Sequence, residues 1–197
     1  MIQNLAEKIT NSLINKSIIS FDEKELYQYG FFNLISQTIY VILIILFGLI
    51  IGEIISSLIF YIAFYFIRKN AGGYHAKTET RCEIMSIISL LLCIIVIKLL
   101  LIKDVNLALL FLSMAAFIII FVLCPLDTPE KPLSKNEFRY FRKISRLILL
   151  IISALILISF IFEWKLLFAP LCISLMLECI LLIAGKVKKV YQLKNAE

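Results

Sequence analysis

The sequence predicts an all-α integral membrane protein of about six transmembrane helices, preceded by an amphipathic helix at the membrane surface. Three observations carry that prediction. Of the 197 residues, 61% are hydrophobic and the mean hydropathy is +0.98, whereas soluble domains are roughly 45–50% apolar even with glycine counted. Apolar runs near the ~20 residues that a bilayer crossing needs recur at 31–51, 53–67, 83–102, 105–124, 147–162 and 165–184. The basic residues fall on alternate connections: 3, 4, 6 and 4 of them lie in 1–30, 68–82, 125–146 and 185–197, leaving Lys98, Lys103 and Lys165 of the 20 elsewhere. Lysine and arginine accumulate on cytoplasmic loops, so both termini and those two connections are expected in the cytoplasm. The whole chain, 1–197, reads as one polytopic membrane domain, with an even number of crossings.

Taken in order, Ile2, Leu5, Ile9 and Leu13 recur at spacings of three and four with Gln3, Glu7, Lys8 and Asn11 between them. That is the period of an interfacial amphipathic helix, and its acidic residue and broken apolar core argue against a cleavable signal peptide. Ser20-x-x-Glu23 forms a capping box that opens a second helical segment. Its Tyr27, Tyr29, Phe31 and Phe32 suit the headgroup level before span one. Gly48, Gly52 and Ser56 repeat every four residues, the pattern of close helix approach, although Gly52 equally marks a turn. Runs 53–67 and 147–162 are short, so four full spans plus two re-entrant or interfacial segments compete with six.

The connection 68–82 holds the only histidine, His75, seven residues before Cys82. A thiol becomes a strong nucleophile when an imidazole takes its proton. Seven residues of continuous helix would leave the two side chains on one face but ~10 Å apart, so a break between them is required. Gly72-Gly73 supplies backbone freedom, and Thr80-x-x-Glu83 reads as a capping box. With Thr80 as N-cap, Cys82 is the second helical residue, where unpaired backbone N–H groups and the helix dipole favour a thiolate. Arg81 and Lys77 assist, whereas Glu79 and Glu83 oppose. A third group is expected to orient the imidazole; Glu79 and Asp127 are both candidates. The plainer reading is a Gly-Gly turn joining two spans, with His75 and Cys82 incidental.

The second polar connection, 125–146, opens with Pro125, Pro129 and Pro132, which predict an extended connector. Ser134-x-x-Glu137 then caps a basic segment in which Lys135, Arg139, Arg142, Lys143 and Arg146 mix with Phe138, Tyr140 and Phe141. Such a helix anchors to anionic lipid; the same charges would also hold an acidic substrate segment. In the last span Glu178 is costly at mid-bilayer, ~2.5–3.5 kcal/mol on insertion scales, so it is expected to face protein or the water boundary. The tail 185–197 is basic.

Several classes are set aside. The cysteines at 82, 93, 124, 172 and 179 have no paired spacing, which disfavours a disulfide framework. One histidine without CxxC or HExxH leaves no metal site, and no cofactor is expected. The net charge of +6 reads as membrane orientation, and no basic patch interleaved with stacking aromatics suggests nucleic acid.

Arg68, the run Gly72-Gly73-Tyr74-His75-Ala76, Cys82, and Pro125-x-Asp127 followed by Lys131-Pro132-Leu133 together resemble the accessory gene regulator B (AgrB) family, membrane cysteine endopeptidases of Gram-positive quorum sensing. The resemblance extends over nearly the whole chain. It implies a bacterial cell-membrane enzyme in which Cys82 is the nucleophile and His75 its general base, facing the cytoplasm. The implied substrate is a short precursor of the AgrD kind, with an amphipathic leader, a signal sequence and an acidic tail. Tail removal through a thioester would lead to a cyclic thiolactone or lactone. The resemblance further implies support of the loop by Gly73 and by Arg68 as an anchor or carboxylate partner, beside the Gly72 hinge and the Thr80 cap read above, docking of the tail on Lys131, Lys135, Arg139, Arg142 and Lys143, and a homodimer. The contrasting class is a non-enzymatic transporter or scaffold, for which Cys82 and His75 would be dispensable.

Overall fold

The computed structural model describes residues 2–74, 76, 78–103, 106–127 and 133–194, the side chains of Glu79 and Leu193 excepted. The described residues form seven α-helices and a short 3₁₀ turn: α1 Ile2–Asn15, the turn Phe21–Glu23, α2 Lys24–Ile51, α3 Ile54–Ala71, α4 Glu79–Ile102, α5 Asn106–Leu123, α6 Lys135–Ile161 and α7 Lys165–Lys194. Six helices, α2 to α7, are long and apolar enough to cross a bilayer. The protein is therefore an all-α, multi-pass membrane protein. The two short apolar runs lie inside α3 and α6, of 18 and 27 residues, and both helices have the length and hydropathy of a crossing.

The helices outrun the apolar segments from which they were predicted. Connection 68–82 shrinks to the residues between Ala71 and Glu79, because Arg68 to Ala71 complete the last turn of α3. Connection 125–146 ends at Lys135, where the basic segment and span five become one continuous helix. The tail from residue 185 is helical to Lys194. Hydropathy marks where lipid is tolerated, whereas backbone hydrogen bonding carries a helix into the headgroup region until a cap or a glycine stops it.

The chain divides into two compact units, 1–46 and 47–197. In the first, Ser20 and Glu23 form the predicted capping box, the Ser20 N–H donating to the Glu23 carboxylate at 3.1 Å, and Lys24 lies 3.9 Å from Glu7. In the second, α7 is the central helix: 67% of its apolar stretch is buried, against 33% for α3 and 28% for α5 and α6. Small side chains line the seams, with Ser56, Ser57, Ser113, Ser145, Ser159 and Ser174 all buried. Small residues let membrane helices pack closely. Most of these hydroxyls bond back to their own helix, as Ser57 does to Glu53 O at 2.6 Å and Ser174 to Leu171 O at 2.7 Å. Gly52 takes φ +80° in the α2–α3 turn, and a side chain at Gly48 would touch Ser57 Oγ at 3.0 Å, so the turn and the close approach are both present. Near that end of the unit Lys98 pairs with Glu53 at 2.7 Å.

Candidate functional site

At the opposite end of the second unit, three segments distant in sequence lock together. Arg68, on the last turn of α3, folds its guanidinium over the loop that follows. Nη1 donates to Gly72 O at 2.5 Å and Nη2 to Tyr74 O at 2.6 Å. Gly72 and Gly73 have φ of +80° and +131°, a region that side-chain-bearing residues enter only with strain. A Cβ on Gly73 would lie 1.7 Å from Arg68 Nη1. The guanidinium therefore occupies the volume in which a side chain at residue 73 would sit.

The loop is seated on α7. The Tyr74 N–H donates to Leu181 O at 2.9 Å, and Gly185 makes room, since a Cβ there would lie 2.8 Å from Gly73 C and 2.9 Å from Tyr74 N. Lys188 lies over the Tyr74 ring at 5.6 Å. The second connection crosses the same place: the Leu126 N–H donates to Ala71 O at 2.8 Å, in a parallel bridge between Gly72 and Leu126. Lys189 ties Asp127 down through its main-chain oxygen at 2.8 Å and Oδ2 at 3.5 Å, while Asp127 Oδ1 accepts the Leu133 N–H at 3.1 Å. One carboxylate thus closes the second connection and pins it to α7. Asp127, a candidate to orient the imidazole, has both oxygens engaged in that closure.

Cys82 lies in the first turns of α4 and is half-buried. The start of that helix corrects the sequence reading. Thr78 is the N-cap, in an extended conformation (φ −130°, ψ 145°), and its Oγ1 accepts the Arg81 N–H at 3.4 Å. Thr80 is an exposed residue inside the helix. Cys82 is accordingly the fourth helical residue, and its N–H already donates to Thr78 O at 3.1 Å. Starting at Thr78 extends the helix by two residues and adds main-chain bonds, among them Cys82 N–H to Thr78 O, that a start at Thr80 would forgo. His75, Lys77 and Lys131 lie outside the described residues, as does the Glu79 side chain.

The basic segment of α6 begins as predicted, Ser134 and Glu137 forming a reciprocal capping box. Lys135, Arg139 and Arg142 line a surface groove of about 340 Å³ with Leu133 and Phe138. Lys143 is exposed beside it, whereas Arg146 turns inward to donate to Phe121 O at 3.3 Å and stacks 4.1 Å over the Phe121 ring. Cys124, just past α5, is 2% exposed. Burial raises its thiol pKa above the ordinary value, against the opposing charges of Arg146 and Arg142. Of the cysteines near this end, Cys82 is the more accessible to a peptide. No group of three or more His, Cys, Asp or Glu arranged to hold a metal occurs among the described residues.

Sequence reasoning found Arg68, the glycine pair and Cys82 but missed Leu181, Gly185 and Lys189. Their signal was weak: a leucine in the last apolar run, then a glycine and a lysine in the basic tail, with nothing local to show which loop they meet.

The fold and this site define a polytopic membrane protein whose two polar connections are bound to one central helix, α7, with a half-buried thiol in the first turns of α4. The chain belongs to the AgrB family of quorum-sensing membrane proteins, since the model for accessory gene regulator B matches residues 6–182. Two AgrB-like proteins of Clostridium perfringens, one from strain 13 / Type A and one from strain SM101 / Type A, are each 28% identical to it over 142 residues. The match covers 70% of this chain and 66% of each relative, just under two thirds of their length. No solved structure matches.

Proposed function

We propose that this chain is a membrane cysteine endopeptidase that removes the acidic C-terminal tail of an AgrD-like precursor and passes the remaining acyl group on to cyclisation. What supports the reading, beside family membership, is the clamp around Gly72, Gly73 and Tyr74. It anchors the chain immediately before His75, and the Thr78 cap anchors it again before Cys82. A short segment tethered on both sides suits a general base that must return to one thiol at each turnover.

In this mechanism His75 takes the proton of Cys82, and Sγ attacks the scissile carbonyl carbon at the junction of signal and tail. The C–N bond breaks, the tail leaves as an amine protonated by the imidazolium, and a thioester to Cys82 remains. A thiol or hydroxyl within the precursor then attacks that carbonyl, its proton passes to His75, and Cys82 is released as the ring closes. With a thiol acceptor the acyl group stays activated throughout, whereas hydrolysis would dissipate it. Limited water at the membrane boundary favours the ring. The exposed cations Lys135, Arg139, Arg142 and Lys143 receive the acidic tail, with Lys131 as a further candidate, and anionic lipid headgroups meet the same surface. The active enzyme is a homodimer in a bacterial cell membrane, with the site in the cytoplasm.

The test is reconstitution of the full chain in liposomes with a precursor peptide bearing an amphipathic leader, an internal cysteine and an acidic tail. Mass spectrometry should detect free tail and an acyl adduct on Cys82, and Cys82→Ala and His75→Ala should each abolish tail release. Normal cleavage by Cys82→Ala would sink the mechanism.

A further inference from the structure

Glu178, in the middle of α7, is 0% exposed, and neither of its carboxylate oxygens has a hydrogen-bond partner among the described residues. An ionisable group is expensive inside a membrane helix, and it persists where it has a charge to answer. The helical period shows which one. Residues 178, 181, 185 and 188 are spaced by three or four and share a face of α7. On that face Leu181 accepts the Tyr74 N–H and Gly185 makes room for the backbone of Gly73 and Tyr74. Glu178 lies one turn below this seat, about 5 Å along the axis.

Arg68 reaches the same seat from α3: the point where a Gly73 Cβ would stand is 1.7 Å from its Nη1 and 3.4 Å from Leu181 O, which brings the guanidinium against α7 one turn from Glu178, with no direct hydrogen bond between the two side chains. The guanidinium is half-buried and commits donors to Gly72 O and Tyr74 O, both neutral acceptors. Asp127, on the second connection, is taken by Lys189 and the Leu133 N–H.

We infer that Glu178 is a positioning residue, the buried counter-charge that keeps the Arg68 guanidinium on the loop carbonyls and so sets the place of the segment leading to His75. It touches no reacting atom. Its effect on catalysis rests on the endopeptidase reading above, whereas its hold on the loop does not.

The experiment therefore has two arms, both on the full chain in nanodiscs, comparing wild type, Glu178→Gln, Glu178→Asp, Arg68→Ala and Arg68→Ala/Glu178→Gln. In the first, hydrogen–deuterium exchange is followed at the Tyr74 amide, with α5 as the reference. Glu178→Gln should speed exchange at Tyr74 and leave α5 unchanged, Glu178→Asp should restore protection, and Glu178→Gln should add nothing once Arg68 is Ala. In the second, precursor cleavage should lose on the order of 10- to 100-fold in kcat with KM little changed, as expected of a displaced base. Wild-type exchange in Glu178→Gln, acceleration spread equally over α5, or an equal added loss on the Arg68→Ala background would each overturn the inference. If Glu178→Gln fails to accumulate, Glu178→Met, also uncharged and of similar size, makes the same comparison on both Arg68 backgrounds. A wild-type chain that cleaves no precursor defeats the endopeptidase reading alone, and the exchange arm still decides Glu178.

Discussion

Gly73 is where backbone conformation and charge meet most tightly. Its φ of +131° strains any side chain, and a Cβ would displace Arg68 Nη1 from a volume it already fills. Gly73→Ala should therefore expel the guanidinium from Gly72 O and Tyr74 O, hydrogen bonds to a charged group of about 1.5–3 kcal/mol each. The loss should appear as fast exchange at the Tyr74 amide and at least a tenfold fall in precursor cleavage. Gly30→Ala is the control, since nothing lies within 4 Å of its added Cβ, and it should match wild type in both measurements. Cys82 was legible in the sequence by its spacing from the only histidine, the glycine pair as the break that spacing requires, and Arg68 through the family resemblance. The guanidinium in Gly73's side-chain space was not, since it depends on Leu181 and Gly185 fixing the loop from the far end of the chain. Glu178 was expected to face protein, and it does; its neighbour became evident only when α7 was set beside α3.

Element boundaries were less legible than element identities, and α4 shows why. Thr78 and Thr80 are both N-cap residue types, and the four-residue box pattern favours Thr80 because Glu83 follows it. The loop arrives extended at Thr78, however, and the helix begins there, leaving Thr80 without a capping role. Thr78→Ala should therefore cost about 1 kcal/mol, the usual value of a lost cap, whereas Thr80→Ala should be near neutral. Thermal unfolding in detergent, with exchange at residues 79–82, separates the two. Equal costs at both positions would return the cap to Thr80. The same limit explains α3, α6 and α7, whose polar ends Arg68–Ala71, Lys135–Arg146 and 185–194 were assigned to loops or surface segments because hydropathy fades before the helix does. Where a box has no competitor, as at Ser20 and Ser134, the sequence located the start correctly.

At the scale of the molecule, one central helix gathers the polar connections. The last turn of α3, residues 124–127 and the end of α7 meet at one end of the second unit, as joined by Leu126 to Ala71, Tyr74 to Leu181 and Lys189 to Asp127. Lys103 closes α4, beyond the Lys98–Glu53 pair at the other end of the α3–α4 hairpin. The convergence agrees with the alternation of basic residues along the chain, and six long apolar helices make that alternation topologically possible. Sidedness then follows from charge: the end bearing Arg68, Lys186, Lys188, Lys189 and the basic face of α6 should remain in the cytoplasm, because lysine and arginine near span ends resist translocation. Single-cysteine variants on a background with the five native cysteines replaced by serine test this in intact cells. Lys103→Cys should react with a membrane-impermeant maleimide added outside, and Lys194→Cys should react only after permeabilisation. The opposite pattern would put Cys82 on the outer face, where a precursor made in the cytoplasm meets the thiol only after crossing the membrane, and the cytoplasmic site proposed above would have to be abandoned.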